Sequence, residues 1–563
     1  WIEEAIERRD PGVPRDPGRV VLRRLSRVEY RNTIRDLVGV DYDPESGDFP
    51  SDDVGYGFDN IGDVLSFPPI LMEKYLAAAG TILDRAILAP EKNRPLNRRF
   101  EAEHQAPPPS AAADGEFMVL MSRPEITQDV EIERDGTYQL RVRAGGDQAG
   151  DEPARMSLRI DGREIRAIDV SVSRRNAKSF DEKVDLVRGK RAISIAFLND
   201  YYKPDAPKPK DRDRNLAVDY IEVTGPVGAP PPLPESHHRL LAAMPGPSLP
   251  KREAAAENLR RIAPRAFRRP VAAGEVESLL KIYDVAEKQG DSFEAAMKAP
   301  FQAMLVSPHF LFRVERGEKG IRPLNGYELA TRLSYFLWST LPDDLLFERA
   351  ASGALRDPAA LEAEARRMLR DPKAKALAEN FALQWLQLRR LEVHSPDPAK
   401  FPAWTPELRA ALRDEAVMLF DEIVREDRSV LDLLTSEAAY LNEPLAAHYG
   451  IPGVKGPEMR KVTLPDRRRG GVLTLGAVLA VTSNPTRTSA VRRGKWVLET
   501  ILGTPPPPPV PDAGELKDET DEDRKLSLRV RLEKHRADPN CASCHRRMDP
   551  IGFGFENYDP VGA

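Results

Sequence analysis

The hydrophobic period of this chain changes twice, and that change limits its architecture more than any other feature. Up to about residue 96, apolar residues recur at helical spacing: Leu22, Leu25, Val28, Ile34 and Leu37, then a run from Ile70 to Ile87. From about Arg98 to Pro226 they alternate as in half-buried strands. The clearest runs are Thr137 to Val142, Met156 to Ile160, Ala192 to Leu198 and Leu216 to Val223, with Asp135-Gly136 and Asp161-Gly162 as turns. Helical spacing then returns in Ala254 to Ile262, Ala273 to Gln289, Tyr327 to Trp338, Pro358 to Leu369 and Pro406 to Val424. A β-sandwich inserted between helical regions satisfies this order. With 563 residues, about three or four domains are expected.

The second constraint lies near the end, in Cys541-Ala542-Ser543-Cys544-His545. These are the only two cysteines, and Cys-x-x-Cys-His is the attachment pattern of a c-type haem. Two thiols at this spacing reach one edge of a porphyrin, and the next residue's imidazole reaches the iron. Cys541 and Cys544 are thus the expected anchors and His545 the proximal ligand. A zinc site would need a second ligand pair that the sequence lacks. A thioredoxin-like motif would need a strand–helix context, whereas here a charged helical run, Arg524 to Lys534, comes first. A plain disulfide leaves His545 unexplained. Met548 sits too close to His545 to reach the far face of a haem, so a sixth ligand must come from earlier in the chain or the site is open. The candidates are His535, His448, His394 and His309. The fold class expected is multidomain, mainly α-helical with an inserted β-sandwich and a C-terminal c-type haem segment.

Boundaries follow from composition. An N-terminal helical domain covers 1–96, the β-sandwich 97–226 and a Pro-rich linker 227–250. Helical domains cover 251–318 and 319–450, and the cytochrome-c-type domain with Cys-x-x-Cys-His covers 451–563. Asn325 is the expected N-cap of the Tyr327 helix. Phe336, Trp338, Phe381 and Trp385 read as core. The Asp- and Gly-rich stretch from Phe49 to Asp63 crowds acidic and amide side chains that could bind a cation, and otherwise reads as a turn whose carboxylates cap the next helix. Near the haem segment, Arg487, Arg492, Arg493 and Lys495 are candidates for holding haem propionates, and Pro505 to Pro509 is expected to be a rigid spacer. Charges of 84 Lys+Arg against 89 Asp+Glu, net −5 and interspersed, give no electrostatic reason for nucleic-acid binding. The longest apolar run, Val472 to Val481, is too short to span a bilayer.

The loop from Asn199 to Asn215 between the last two strands is unusually long and carries hard oxygen ligands at both ends: Asn199-Asp200-Tyr201-Tyr202 and Asp211-Arg212-Asp213-Arg214-Asn215. An EF-hand is ruled out because Leu216 stands where the loop needs Gly and the flanks are strands. The stretch resembles the calcium-dependent, xylan-binding type of carbohydrate-binding module. That resemblance implies calcium on Asn199, Asp200, Asp213 and Asn215, and sugar stacking on Tyr201 or Tyr202.

Six stretches carry a wider resemblance. They are Arg24-Leu25-Ser26-Arg27-Val28-Glu29-Tyr30-Arg31-Asn32-Thr33-Ile34-Arg35-Asp36-Leu37, Gly57-Phe58-Asp59-Asn60, Ala266-Phe267-Arg268-Arg269-Pro270, Leu333-Ser334-Tyr335-Phe336-Leu337-Trp338, Thr488 to Trp496 and the Cys541 segment. In this order they resemble the large planctomycete-type cytochrome c proteins, built from domains of unknown function 1587, 1595, 1592 and 1588. The resemblance spans nearly all of the chain outside the sandwich. It departs at Thr488-Ser489-Ala490, where the family usually has Thr-Ser-Pro. It implies a signal peptide and another cytochrome-type domain before Trp1 and a short further domain after Ala563. It also implies haem c, an exported, periplasmic or cell-surface location and no established reaction. Polysaccharide and a redox partner protein are the expected partners, with calcium as a second cofactor.

No His-Glu-x-x-His, Gly-x-Ser-x-Gly or complete P-loop occurs, and no catalytic residue is assignable. As an enzyme the chain would be a haem-dependent oxidoreductase. The alternatives are a cell-surface polysaccharide-binding scaffold with structural haem, and a hydrolase with a haem appendage. Carboxylate pairs for the latter have no fixed spacing.

Overall fold

Local capping chemistry sets where the helices begin. Ser26 accepts from the Glu29 amide while the Glu29 carboxylate accepts from the Ser26 amide, a reciprocal box that starts helix Arg27–Val38. Asn325 and Glu328 do the same for helix Gly326–Leu337, as the sequence predicts. Asp52, in the Asp- and Gly-rich stretch, accepts from the Arg27 amide and pairs with the buried Arg24. The stretch thus supplies a carboxylate to the start of the preceding helix, not to the next one as expected, because the chain folds back on Arg24 and Arg27.

The structure, a computed structural model, describes residues 22–46, 49–90, 96–228, 232–315, 321–507, 526–537 and 539–563. The expected spacer at Pro505 to Pro509 lies partly outside them. The chain divides into two units. A helical unit comprises residues 1–86, 242–285 and 298–563, and a β unit comprises 87–241 with 286–297. Among the described residues no helix is long and apolar enough to cross a membrane.

In the β unit, two antiparallel sheets enclose one core. The first is organised on strand Asp213–Gly225, which pairs with Gly136–Asp147, Phe117–Leu120, Leu96–Glu101 and the short Tyr201–Tyr202. The second runs in the order Glu125–Ile132, Gly189–Phe197, Ala154–Ile160, Arg163–Val170. Leu140, Val142, Leu216 and Ile221 from the first sheet join Ile126, Val130, Met156 and Ile195 from the second in that core. Three of the four strands expected from alternation lie within observed ones, and the fourth, Ala192 to Leu198, runs one residue past the observed Gly189–Phe197.

The Pro-rich stretch 227–250 is more than a spacer. It holds helix Glu235–Leu240, whose buried His237 accepts the Leu88 amide at its Nδ1 (3.2 Å). Burial lowers the His237 pKa, which keeps the ring neutral and able to accept.

The helical unit has a core around helix Pro406–Arg425, with Leu412, Phe420, Leu445, Val478 and Trp496. A smaller cluster forms around Trp338, which is fully buried and donates its indole N–H to the Met368 carbonyl. Two aromatics expected in the core are not there. Phe336 is 64% exposed and Phe381 39%, because the helical turns that bury Trp338 and Ala382 direct their neighbours outward.

Candidate functional site

The Cys-x-x-Cys-His segment lies on helix Pro539–Phe553, so Cys541, Cys544 and His545 fall at i, i+3 and i+4 on one face. Both thiols are free and half-buried. His545 Nδ1 lies 3.0 Å from Oδ1 of Asp549, one turn on, and Asp549 is fully buried with Arg536 3.6 Å from its other oxygen. A ring whose Nδ1 is held by a carboxylate is fixed in tautomer and orientation, leaving Nε2 as the coordinating atom. The donor set therefore fits the attachment of haem: two accessible thiols and an oriented imidazole.

Two glycine contacts lock this helix in place. It crosses helix Ala490–Trp496 so closely that a Cβ on Gly494 would stand 1.9 Å from the Met548 carbonyl oxygen. A Cβ on Gly552 would stand 1.8 Å from that of Ala490. Arg493, 2% exposed, then donates to the carbonyls of Phe555, Tyr558 and Asp559 and to the Ser483 hydroxyl. Burial pulls its pKa down to about 10. Arg493 therefore braces the chain that follows the helix, with Glu556 3.7 Å away and its Nε buried without an acceptor among the described residues. Arg487 and Arg492 are exposed, Arg492 donating to the Ser483 carbonyl. Lys495 is exposed beside Glu499.

The four candidate histidines stand in different settings. His535, at the end of helix Leu528–His535, lies with its ring 4.8 Å from that of His545, edge to face. Two metal–nitrogen bonds of about 2 Å each would separate opposed rings by more than this, so His535 would have to move to serve as a sixth ligand. His448 shares a hydrogen bond with the Val561 carbonyl through Nε2 (3.0 Å). His394 packs on Trp404 with a buried Nε2 that has no partner among the described residues. Burial lowers the pKa of both. His309 packs on Phe267, about 4.0 Å from Glu275.

In the β unit, strand register assembles the acidic site. Asn215 pairs with Asp147 across the two central strands. Its Nδ2 donates to Asp147 (3.3 Å) and to Asp213 (3.1 Å), and its buried Oδ1 has no donor among the described residues. Two carboxylates beside an orphaned amide oxygen form a hard-oxygen set of the kind Ca²⁺ takes, and an ion there would satisfy the orphan. Asp147 also accepts from Arg174. Sequence reasoning missed Asp147, which lies far from the loop in the chain and reaches it only through the sheet.

Asn199 corrects the other way. Its Oδ1 accepts the Arg155 amide (2.7 Å) and its Nδ2 donates to the Pro153 carbonyl (2.9 Å), so the side chain closes a loop. Asp200 is half-buried next to the Tyr201–Tyr202 strand. Tyr201 packs under the Arg214 guanidinium, 5.2 Å from the ring centre, whereas Tyr202 is 68% exposed and offers a free face. A second carboxylate group, Glu101, Glu103 and Asp219, brings ligand atoms within 4.8 Å of one another, with Asp219 already paired to Arg143.

Comparison with known proteins gives five family matches. Four are described as proteins of unknown function: DUF1587 over residues 23–88, DUF1595 over 254–315, DUF1592 over 324–451 and DUF1588, termed PSCyt3, over 469–563. The fifth, a Ca-dependent xylan-binding carbohydrate-binding module, covers 139–236. No curated protein matches. Among solved structures, the CBM36-1 domain of a xylanase from the hindgut metagenome of Trinervitermes trinervoides is 14% identical. It covers 24% of this chain and 100% of its own at a TM-score of 0.17. The C-terminal CBM6 of LamC from Zobellia galactanivorans is 11% identical, covering 23% and 100% at 0.18. A CBM36 module in complex with calcium and xylotriose is 15% identical, covering 22% and 98% at 0.16.

Proposed function

We propose, for a chain that belongs to the planctomycete-type cytochrome c family of DUF1587, DUF1595, DUF1592 and DUF1588 proteins with an inserted xylan-binding-type module, an exported redox protein that holds polysaccharide. Cys541 and Cys544 would carry the haem and His545 Nε2 would take its iron. A bound haem supplies one-electron chemistry. Asp549 holds the His545 ring through Nδ1, which would make Nε2 a stronger ligand and would favour the oxidised state of a bound iron. Attachment through Cys-x-x-Cys-His implies maturation outside the cytoplasmic membrane, hence a periplasmic or surface location and a redox partner protein there.

The β unit would hold the glycan. Asp147, Asp213 and Asn215, with Asp200 beside them, would bind calcium, leaving coordination positions for sugar hydroxyls next to the exposed Tyr202 ring. Electron exchange close to a bound polysaccharide suits oxidative attack on the glycan or turnover of a partner enzyme.

The observation that carries this reading is the Cys541, Cys544, His545 row with His545 fixed by a fully buried carboxylate. Its test is carbon monoxide added to the reduced protein after production with c-type maturation machinery. Binding of the gas indicates an open iron and a reaction, and a silent spectrum indicates an electron carrier. Affinity electrophoresis in xylan gels, with and without calcium, tests the second half. Migration that ignores both xylan and calcium refutes the glycan-binding role.

A further inference from the structure

The helical unit contains a cavity of about 1090 Å³ that none of the sites above uses. It is at the upper end of ligand-pocket sizes, roughly 300–1,000 Å³, with room for several sugar units. Its walls come from stretches far apart in sequence. The short strand Arg23–Arg24 pairs with Phe312–Arg313, which sets Arg23 opposite Arg313 at the cavity wall.

The charge on that wall is unbalanced. Arg23 (2.9 Å) and Arg313 (3.9 Å) share one carboxylate, Glu29. The buried Arg268 beside them donates to the carbonyls of His309, Phe310 and Phe312 and to the Tyr335 hydroxyl, with no carboxylate partner among the described residues. Three guanidinium groups thus meet a single carboxylate. The Nε atoms of both Arg23 and Arg313 are buried without an acceptor among the described residues, an arrangement that costs free energy until an acceptor arrives. Elsewhere on the lining the charges are paired, Arg269 with Glu275, Arg332 with Glu315 and Asp59 with Arg389.

The same cavity has aromatic faces. Phe336 is largely exposed to it, and Phe381 stacks on Phe58 with ring centres 5.8 Å apart. Two lining residues, Arg268 (φ 55°) and Ser339 (φ 52°), hold left-handed backbone conformations, and such strain gathers at functional sites. Flat apolar faces beside unsatisfied guanidinium donors suit a sugar that carries an anion, its C–H face on a ring and its anionic group on Arg313 and Arg23.

We infer that this cavity is a second carbohydrate site, one that takes an anionic oligosaccharide bearing a carboxylate or a sulfate ester. The inference rests on the reading that the protein engages polysaccharide, and it extends that reading from the β unit to the helical unit.

The experiment is calorimetric titration of the full chain in EDTA, which silences a calcium-dependent module. The probes are a uronate-bearing xylo-oligosaccharide, a sulfated xylo-oligosaccharide and the neutral parent. Binding of the first two, above the neutral parent, is expected. Arg313→Gln and Phe336→Ala should each weaken it about tenfold or more, and Tyr202→Ala should leave it unchanged. Binding of the uronate alone assigns a carboxylate, and of the sulfate alone a sulfate ester. No binding of either anionic probe overturns the inference, as does binding that both cavity variants leave intact. Phe336→Ala removes an exposed ring, so it reports even where Arg313→Gln disturbs folding. The module reading fails separately, if calcium in place of EDTA brings no binding of the neutral parent.

Discussion

Gly494→Ala should undock the helix that carries Cys541, Cys544 and His545 while leaving the rest of the helical unit folded. The added methyl would begin 1.9 Å from the Met548 carbonyl oxygen, and a carbon–oxygen contact needs about 3.3 Å. The two helices must therefore separate by about 1.4 Å, and the obstacle is backbone, not the movable end of a side chain. Separation loosens the packing of the buried Met548, Ala490 and Trp496 and stretches the three hydrogen bonds from Arg493 to the Phe555, Tyr558 and Asp559 carbonyls. Overpacking of this kind costs about 1–3 kcal/mol, which raises the open population of the docked helix roughly 5- to 150-fold. Hydrogen exchange read by mass spectrometry checks this. Amides of 539–563 should exchange faster by that factor, while those of helix Pro406–Arg425 keep their protection. Gly552→Ala, whose methyl would meet the Ala490 carbonyl at 1.8 Å, should reproduce the result. Unchanged protection in both variants would refute the glycine crossing as the anchor of this segment.

Three further outcomes follow from named groups. Glu415 is buried, accepts from the Tyr449 hydroxyl (2.6 Å), and has its pKa raised from 4.5 to about 7 by desolvation. An unfolded chain releases this proton near pH 4.5 but the fold holds it to about pH 7, so stability falls as pH rises through that window. At about 1.4 kcal/mol per unit, Glu415→Gln should be more stable than wild type by about 3 kcal/mol at pH 8. At pH 4 the two should coincide, as measured by urea unfolding. Asn215→Ala removes the orphaned amide oxygen and should abolish calcium-dependent retardation in xylan gels, as EDTA does in the wild type. Tyr202→Ala should reduce retardation with calcium affinity unchanged. Asp549→Asn removes the anionic partner of His545 and should raise the reduction potential of the loaded protein in a potentiometric titration. An unchanged potential would mean that Asp549 only packs.

Much of the fold is legible in the sequence because it is written at short range. Helical spacing locates Arg27–Val38, Pro69–Ala86 and Pro406–Arg425, and the Asn325–Glu328 box is a four-residue signal. Alternation finds the sandwich strands for the same reason. The sites are only half legible because their remaining parts are set at long range. Asp147 joins Asn215 through register between strands, and Asn199 is drawn away by backbone groups of a different loop. Arg493 reads as one more basic residue near a haem motif, yet its burial depends on a crossing made possible by Gly494 and Gly552. Phe336 and Phe381 look like core by composition and face a cavity instead, since residue type alone does not say which side of a helix meets another element.

The claim on which the rest depends is covalent attachment of haem at Cys541 and Cys544, and the pyridine haemochrome spectrum of protein made with c-type maturation machinery tests it directly. The account predicts a haemochrome with both vinyl groups saturated, retained after acid–acetone extraction and lost in Cys541→Ala/Cys544→Ala. A wild-type protein that gives up all its pigment to extraction, or carries none, would contradict it and leave a polysaccharide-binding scaffold.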